Sequence, residues 1–219
     1  MTLFYARPFG APEPSSLAAE CDGPLLLVVA DVAGKSVPAA LLMATLQASL
    51  RTLATLPTSL PELVRRLNQY ACAQNLGGRR FTTAFVAELD PTSRRLTFVN
   101  AGHNWPVLRR VSGAIERLEI GGLPLGVSHE ARYQCSDTTL AVGDLLLIFT
   151  DGLVEAENET EEEYGEARML GIVHGLFGRN ATEVLQRLMA SVDAFVGLAP
   201  QHDDITCLVL RAFADSPGV

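Results

Sequence analysis

The chain has 219 residues, 48% hydrophobic and 19% charged, enough to bury a sizeable core as one large domain or two small ones. Its 17 Lys and Arg against 25 Asp and Glu give a net charge of −8, which repels nucleic acid and anionic membrane and excludes a phosphate-tracking basic stripe. The longest apolar runs, residues 25–30 and 145–149, fall far short of the roughly 20 residues a membrane helix needs. Residues 1–10 also lack the basic-then-apolar order of a signal peptide. Cys21, Cys72, Cys135 and Cys207 lie far apart with no CxxC pair, which reads as free thiols in a reducing, cytoplasmic setting.

Residues 3–7 read as a short strand, and residues 8–16, with Pro8, Pro12 and Pro14, as loop. Asp22-Gly23 is a tight-turn signal leading into the stretch LLLVVADVAGKSVPAALLMA, residues 25–44. There an apolar strand ends in Asp31 and a helical pattern begins after a Gly-containing turn. A carboxylate at the end of a buried strand is costly unless a cation or a set of donors receives it, so Asp31 is the first functional candidate. The AGKS at residues 33–36 suggests a phosphate-binding loop. That motif needs a glycine where Val29 stands, and Asp31 would repel the phosphate, so Lys35 and Ser36 lose that role.

The spacing predicts a helix over 37–56 with Pro38 in its first turn, a break at 57–61, and a second, amphipathic helix over 62–74 ended by Gly77-Gly78. Residues 81–89, 95–100, 105–110 and 115–120 then read as consecutive antiparallel strands, divided by turns such as Asp90-Pro91 and Ser112-Gly113. Residues 121–126 (GGLPLG) read as a rigid loop, 132–140 and 144–150 as strands, 164–177 and 182–195 as helices, and 204–211 as a closing strand. The acidic run 155–166 reads as a solvated loop or helix face, and 213–219 as a tail. Two helix pairs among hairpin strands are not the alternation of a doubly wound sheet. The expected fold is α+β: an α-β-β-α sandwich of two mainly antiparallel sheets flanked by helix pairs. No break in the pattern isolates a second core, so residues 1–219 are expected to form one domain, with its motifs over 25–211.

Chemistry gathers at three acidic elements. Asp31 ends one apolar strand, Asp151 follows LLLIF in the same way, and Asp203-Asp204 precedes the last strand. If those ends converge, mutual repulsion raises their pKa values unless divalent cations neutralise them, and Mg²⁺ and Mn²⁺ prefer such oxygens.

Five motifs occur in one order: DVAGKSVPAALLMA from Asp31, NAGHNWP from Asn100, GLPLG from Gly122, GDLLLIFTDG from Gly143 and DDIT from Asp203. In this the chain resembles the SpoIIE/RsbU-type bacterial serine phosphatases of the PP2C superfamily. The resemblance implies metal-dependent hydrolysis of phosphoserine on a protein, by metal-activated water and with no catalytic protein nucleophile. It implies two Mn²⁺ or Mg²⁺ ions, bridged by Asp31, with the Val32 backbone carbonyl on the second ion and Asp151 and Asp203 on the first. Gly152, Asp204 and His103 are expected to support those ligands rather than bind metal, Asp204 by bracing its loop. His202, beside Asp203, is a weaker supporting candidate.

The sequence departs from the family where a Gly-Asp pair is usual upstream of Asp31. Glu13, between Pro12 and Pro14, stands about there and is the candidate replacement ligand, so the second ion's site is the open question. A smaller departure is Ser36, where glycine is usual. The implied substrate is a STAS-type anti-sigma-factor antagonist in partner-switching signalling. Implied partners are a sensor domain or regulator in cis or trans, or a second copy in a homodimer, with the helices at 37–56 and 62–74 as a switch. Neither nucleic acid nor a membrane segment is expected. The alternative is a degenerate member of that fold kept as a binding or signalling module with weak or no activity.

Overall fold

The computed structural model describes residues 2–8, 23–74 and 80–213, with backbone alone for residues 4–8. The Asp22-Gly23 turn, the Gly77-Gly78 helix stop, most of the 213–219 tail and Glu13 lie outside the described residues. The chain divides into two compact units, each assembled from two separate stretches: Met1–His103 with Glu119–Thr139, and Asn104–Leu118 with Leu140–Val219.

In the first unit, β1 (Thr2–Pro8) pairs antiparallel with β2 (Leu25–Val32), placing Thr2 opposite Asp31. β2 is interior to its sheet and buried on both faces, which is why its sequence is a continuous apolar run rather than an alternating one. Leu26, Val28, Ala30 and Val32 point to one face, where they pack against Leu42, Met43, Leu46 and Leu50 of α1 (Val37–Leu53) and Leu63, Val64 and Leu67 of α2 (Leu60–Gln74). Leu27, Val29 and Asp31 point to the other.

Both helix boundaries differ from expectation. Residues 54–56 turn more tightly, with Thr55 N and Leu56 N donating to Thr52 O and Leu53 O and the Thr55 hydroxyl to Thr52 O, so α1 closes at Leu53. Pro61 does not end the break. It sits in the first turn of α2, where no N–H is needed, while Ser59 O accepts from Leu63 N. Buried Asn68 ties α2 to the distant 126–128 loop: its amide donates to Ser128 O at 2.8 Å and its oxygen accepts from Gly126 N at 2.9 Å.

β3 (Thr82–Asp90) pairs with β2, and β4 (Arg95–Ala101) with β3, both antiparallel. The rings of Phe85 and Phe98 stack with centroids 5.7 Å apart. β5 (Val107–Arg109) and β6 (Ile115–Arg117) form a hairpin, but in the other sheet, so the strands from 81 to 120 are not one consecutive set. Nor is the stretch after them only a loop. β7 (Gly121–Gly122) runs parallel to β4, and a Cβ at Gly121 would collide with the Asn100 carbonyl, so glycine is what allows the approach. β8 (Ser136–Thr139), shorter than expected, pairs antiparallel with the earlier part of β4 and completes a six-stranded sheet.

The second unit holds a four-stranded sheet in the order β10 (Cys207–Arg211), β9 (Leu145–Phe149), β5, β6, with β9 inside. A short helix that the sequence did not announce, α3 (Asp151–Val154), follows β9. The acidic run is then a turn rather than a helix face. Asn158 Oδ1 accepts from Thr160 N and Glu162 N, both at 3.0 Å, and Glu157 bridges Glu163. α4 (Gly165–Gly175) and α5 (Ala181–Val196), the latter opened by an Asn180/Glu183 capping box, cover one sheet face. Leu145, Leu147 and Phe149 pack there with Val107, Met169, Val173, Val184 and Leu188. β10 (Cys207–Arg211) starts later than expected, because residues 204–206 are held by Thr150 instead.

The fold is thus α+β, with two mainly antiparallel sheets each covered by a helix pair, and β4–β7 as a parallel exception. No helix among the described residues is long and apolar enough to cross a membrane. Cys72, Cys135 and Cys207 carry free thiols. Burial pushes the Cys207 thiol up to about 12 and raises that of Cys72, whereas Cys135 is exposed. Because the thiolate is the nucleophile, labelling at pH 8 followed by peptide mapping is expected to modify Cys135 well before Cys207. Equal rates would contradict the packing around β10.

Candidate functional site

Asp31 is the penultimate residue of β2 and lies on the sheet face away from α1 and α2. Its register partners are Thr2 on β1 and Thr83 on β3, which therefore flank it on the same face. The Thr2 hydroxyl donates to Asp31 Oδ1 at 2.9 Å. Thr83 Oγ1 lies 3.1 Å from Nδ1 of the buried His103, whose backbone N–H donates to Asn100 Oδ1 at 2.7 Å. The first unit thus brings His103 to the strand position beside Asp31 and anchors it to the 100–103 turn. Val32 ends the strand, and Ala33 N donates to Phe81 O at 3.0 Å. Gly34, at φ +97°, then turns the chain toward α1.

In the second unit, Thr150 acts as a clasp. Its N–H donates to Thr206 O at 3.1 Å, and its hydroxyl accepts from Thr206 N at 3.0 Å and donates to Asp204 O at 3.2 Å. The hydroxyl is spent on this loop rather than on capping α3. Asp151 opens α3, and its Oδ1 accepts from Gly152 N at 2.9 Å. Asp203 Oδ1 accepts from Asp204 N at 2.7 Å, while Gln201 Nε2 donates to Asp203 O at 2.7 Å.

Gly152 sets the spacing between these two acidic segments. A Cβ there would lie 2.6 Å from Asp204 O and 3.3 Å from the Asp203 Cβ, so α3 and the 203–204 loop touch across a residue with no side chain. Gly152→Ala is therefore expected to push that loop away and to weaken Mn²⁺ binding, read by calorimetric titration, at least about tenfold. Its melting temperature should fall by only a few degrees; an unchanged metal titration would refute the spacing argument.

The electrostatics agree with the packing. The Glu155 carboxyl is raised first by burial and then by the negative charges of Asp151, Glu163 and Asp203. The donors expected from the sequence are carboxylate and carbonyl oxygens, which suit Mg²⁺ or Mn²⁺ rather than a thiophilic metal. Among the described residues no three Asp, Glu, His or Cys side chains are grouped to hold a metal by themselves. The Asp31, Asp151 and Asp203 carboxylates and the Val32 carbonyl are oxygen donors of the kind Mg²⁺ or Mn²⁺ accepts, so the residues present fit such an ion by their chemistry. Glu13 lies outside the described residues. His202 is 62% exposed, with Nε2 3.8 Å from Glu157 Oε2. Thr2, Thr83, Thr150 and Glu155 are the neighbours that sequence reasoning missed; only strand register and chain reversal bring them in.

The model of the family "Stage II sporulation protein E (SpoIIE)" matches residues 21–213, and the chain belongs to that family. It is 28% identical over 187 residues to the phosphoserine phosphatase RsbU of Bacillus subtilis, covering 84% of this chain and 55% of RsbU. It is 26% identical over 132 residues to the phosphoserine phosphatase RsbP of the same organism, covering 59% of this chain and 33% of RsbP. The chain thus spans about half the length of RsbU and less of RsbP. Among solved structures, the RsbU and RsbW domains of Rv1364c from Mycobacterium tuberculosis match with TM-score 0.75 and 25% identity, over 99% of this chain and 57% of that one. The SiaA-PP2C domain of Pseudomonas aeruginosa matches with TM-score 0.76 and 21% identity, over 96% and 80%. The catalytic domain of the serine threonine protein phosphatase PstP, solved with 2 manganese ions, matches with TM-score 0.65 and 18% identity, over 97% and 99%.

Proposed function

We propose that this chain is a Mn²⁺- or Mg²⁺-dependent protein serine/threonine phosphatase that hydrolyses phosphoserine on a STAS-type anti-sigma-factor antagonist. Such a substrate would place it in cytoplasmic partner-switching signalling, under a sensor domain, a regulator or a second copy of the chain. The observation that carries the reading is the contact across Gly152, which sets Asp151 beside the Asp203 loop. Its family membership and the phosphoserine phosphatases it resembles support the same conclusion.

In this reading residues 1–219 act as one phosphatase domain. Asp31 and the Val32 carbonyl would be the metal ligands of the first unit and Asp151 and Asp203 those of the second, with Glu13 as a further candidate ligand. Bound divalent ions supply an activated water and offset the charge that grows on the phosphoryl group during in-line displacement. The chain's own residues keep the carboxylates in place. Thr2 steadies Asp31, the Asp204 N–H and Gln201 hold Asp203, and Thr150 fixes the loop that carries it. His103 and Asp204 brace rather than ligate.

The test is hydrolysis of p-nitrophenyl phosphate and of a phosphoserine STAS-type protein, with Mn²⁺ added and with chelator. Metal-dependent release from both is expected. Absence of hydrolysis at millimolar Mn²⁺ would overturn the reading and leave the binding-module alternative.

A further inference from the structure

Beside Asp203 the second unit carries a pocket of about 410 Å³ between the 155–163 turn, the C-terminal end of α5 and the 200–205 loop. Gly152 and Asp203 form part of its wall, and the carboxylates of Glu155, Glu157, Glu163 and Asp193 line it. None of these four pairs with a lysine or arginine among the described residues, although Glu62, Glu116, Glu162, Glu166 and Glu183 all do. The remaining wall is apolar, from Val192, Val196 and Ile205.

A second source of negative potential is independent of these acids. Val196 and Gly197, at the end of the 16-residue α5, face the pocket, and the last turn of that helix holds no basic residue. The partial negative charge of its carbonyls is therefore uncompensated there. The wall is also built before any ligand arrives. Asn158 closes the turn on itself, and Glu159 Oε1 accepts from Leu198 N at 3.3 Å, tying the turn to the helix end.

Carboxylates and a helix C-terminus around an apolar wall complement an alkyl stem that ends in a cation. An anion is repelled, and a hydrated metal ion would make no use of the apolar side. We propose that this pocket receives the side chain of a lysine or arginine flanking the phosphoserine of the protein substrate, making Glu163 and Asp193 determinants of substrate specificity. The proposal rests on the phosphatase reading only for placing the phosphoserine near Asp203; capture of the basic residue follows from the pocket itself.

The test uses phosphoserine peptides in which one lysine is moved through the positions around the phosphoserine in a neutral background. At one or two positions lysine should lower KM about fivefold with kcat unchanged, as expected for partly exposed ion pairs. In the double variant Glu163→Gln/Asp193→Asn that advantage should fall to within about twofold. Hydrolysis of p-nitrophenyl phosphate and its Mn²⁺ dependence should stay as in the unsubstituted chain. Fluorescence anisotropy of the labelled peptides reads the same preference without turnover, so a chain that fails to hydrolyse p-nitrophenyl phosphate would sink the phosphatase reading and still decide this one. No positional preference, or one that survives the double substitution, overturns the proposal. So does a shift in Mn²⁺ dependence in that variant, which would mean the pocket takes metal.

Discussion

Asp31→Asn is expected to lower Mn²⁺-dependent hydrolysis of p-nitrophenyl phosphate at least about a hundredfold while leaving the fold in place. Asparagine has the same shape, and its amide oxygen can still accept the Thr2 hydroxyl that bonds Asp31 Oδ1 at 2.9 Å. What it loses is charge, and with it the ability to neutralise a cation. Asp203→Asn should behave alike, since its oxygen can still accept the Asp204 N–H. Initial rates across a Mn²⁺ titration, with melting temperature as the control, separate the two effects. A variant that keeps more than about a tenth of the rate at saturating Mn²⁺ would remove Asp31 from the metal site.

The second large effect lies away from the chemistry. Asp144 has no exposed side-chain surface, and three donors converge on it. One oxygen accepts Val111 N at 2.8 Å, and the other accepts Ala141 N and Arg110 Nη1, both at 2.9 Å. Arg110 also makes a two-pronged pair with Glu116, which is what chiefly raises its pKa, with Asp144 adding to it. Asp144→Ala strands two backbone donors and half of that network in a partly buried place. A loss of about 3–5 kcal/mol is expected, roughly 10 °C in melting temperature for a chain of this size. Asp144→Asn, which keeps an acceptor, should lose clearly less. Urea titration of the two variants checks this, and a loss below about 1 kcal/mol for the alanine variant would show that the network relaxes around the gap.

Strands β2 and β9 were legible because both are buried on two faces, so each writes an unbroken apolar run that no polar alternation blurs. The acids after those runs were legible for the same reason: a charge next to such a run needs a purpose. Pairing partners were not. Residues 95–100 and 105–110 share a strand-like composition, and nothing in either says that the first pairs with β3 and the second with β9. Gly121 and Gly152 look alike as letters in a turn, although each admits a neighbouring backbone that any side chain would exclude. Asp144 is likewise one more acid before a strand until Arg110 and Val111 are placed beside it. The supporting threonines illustrate the limit most directly. Thr2 is 29 positions from Asp31, and only the antiparallel register of β1 and β2 makes them neighbours.

The interleaving of the two units has a consequence for biosynthesis. The β5–β6 hairpin is complete at Arg117, but its partner β9 begins only at Leu145, after β7 and β8 have been made for the other sheet. At about 5–20 residues per second, the β5 edge that β9 will cover waits a few seconds on the ribosome without its permanent neighbour. Val107 and Leu108, fully buried once the chain is finished, lack the cover of β9 through that interval. The nascent chain is thus most vulnerable to mispairing at the β5 edge while residues 118–144 follow the hairpin out of the ribosome.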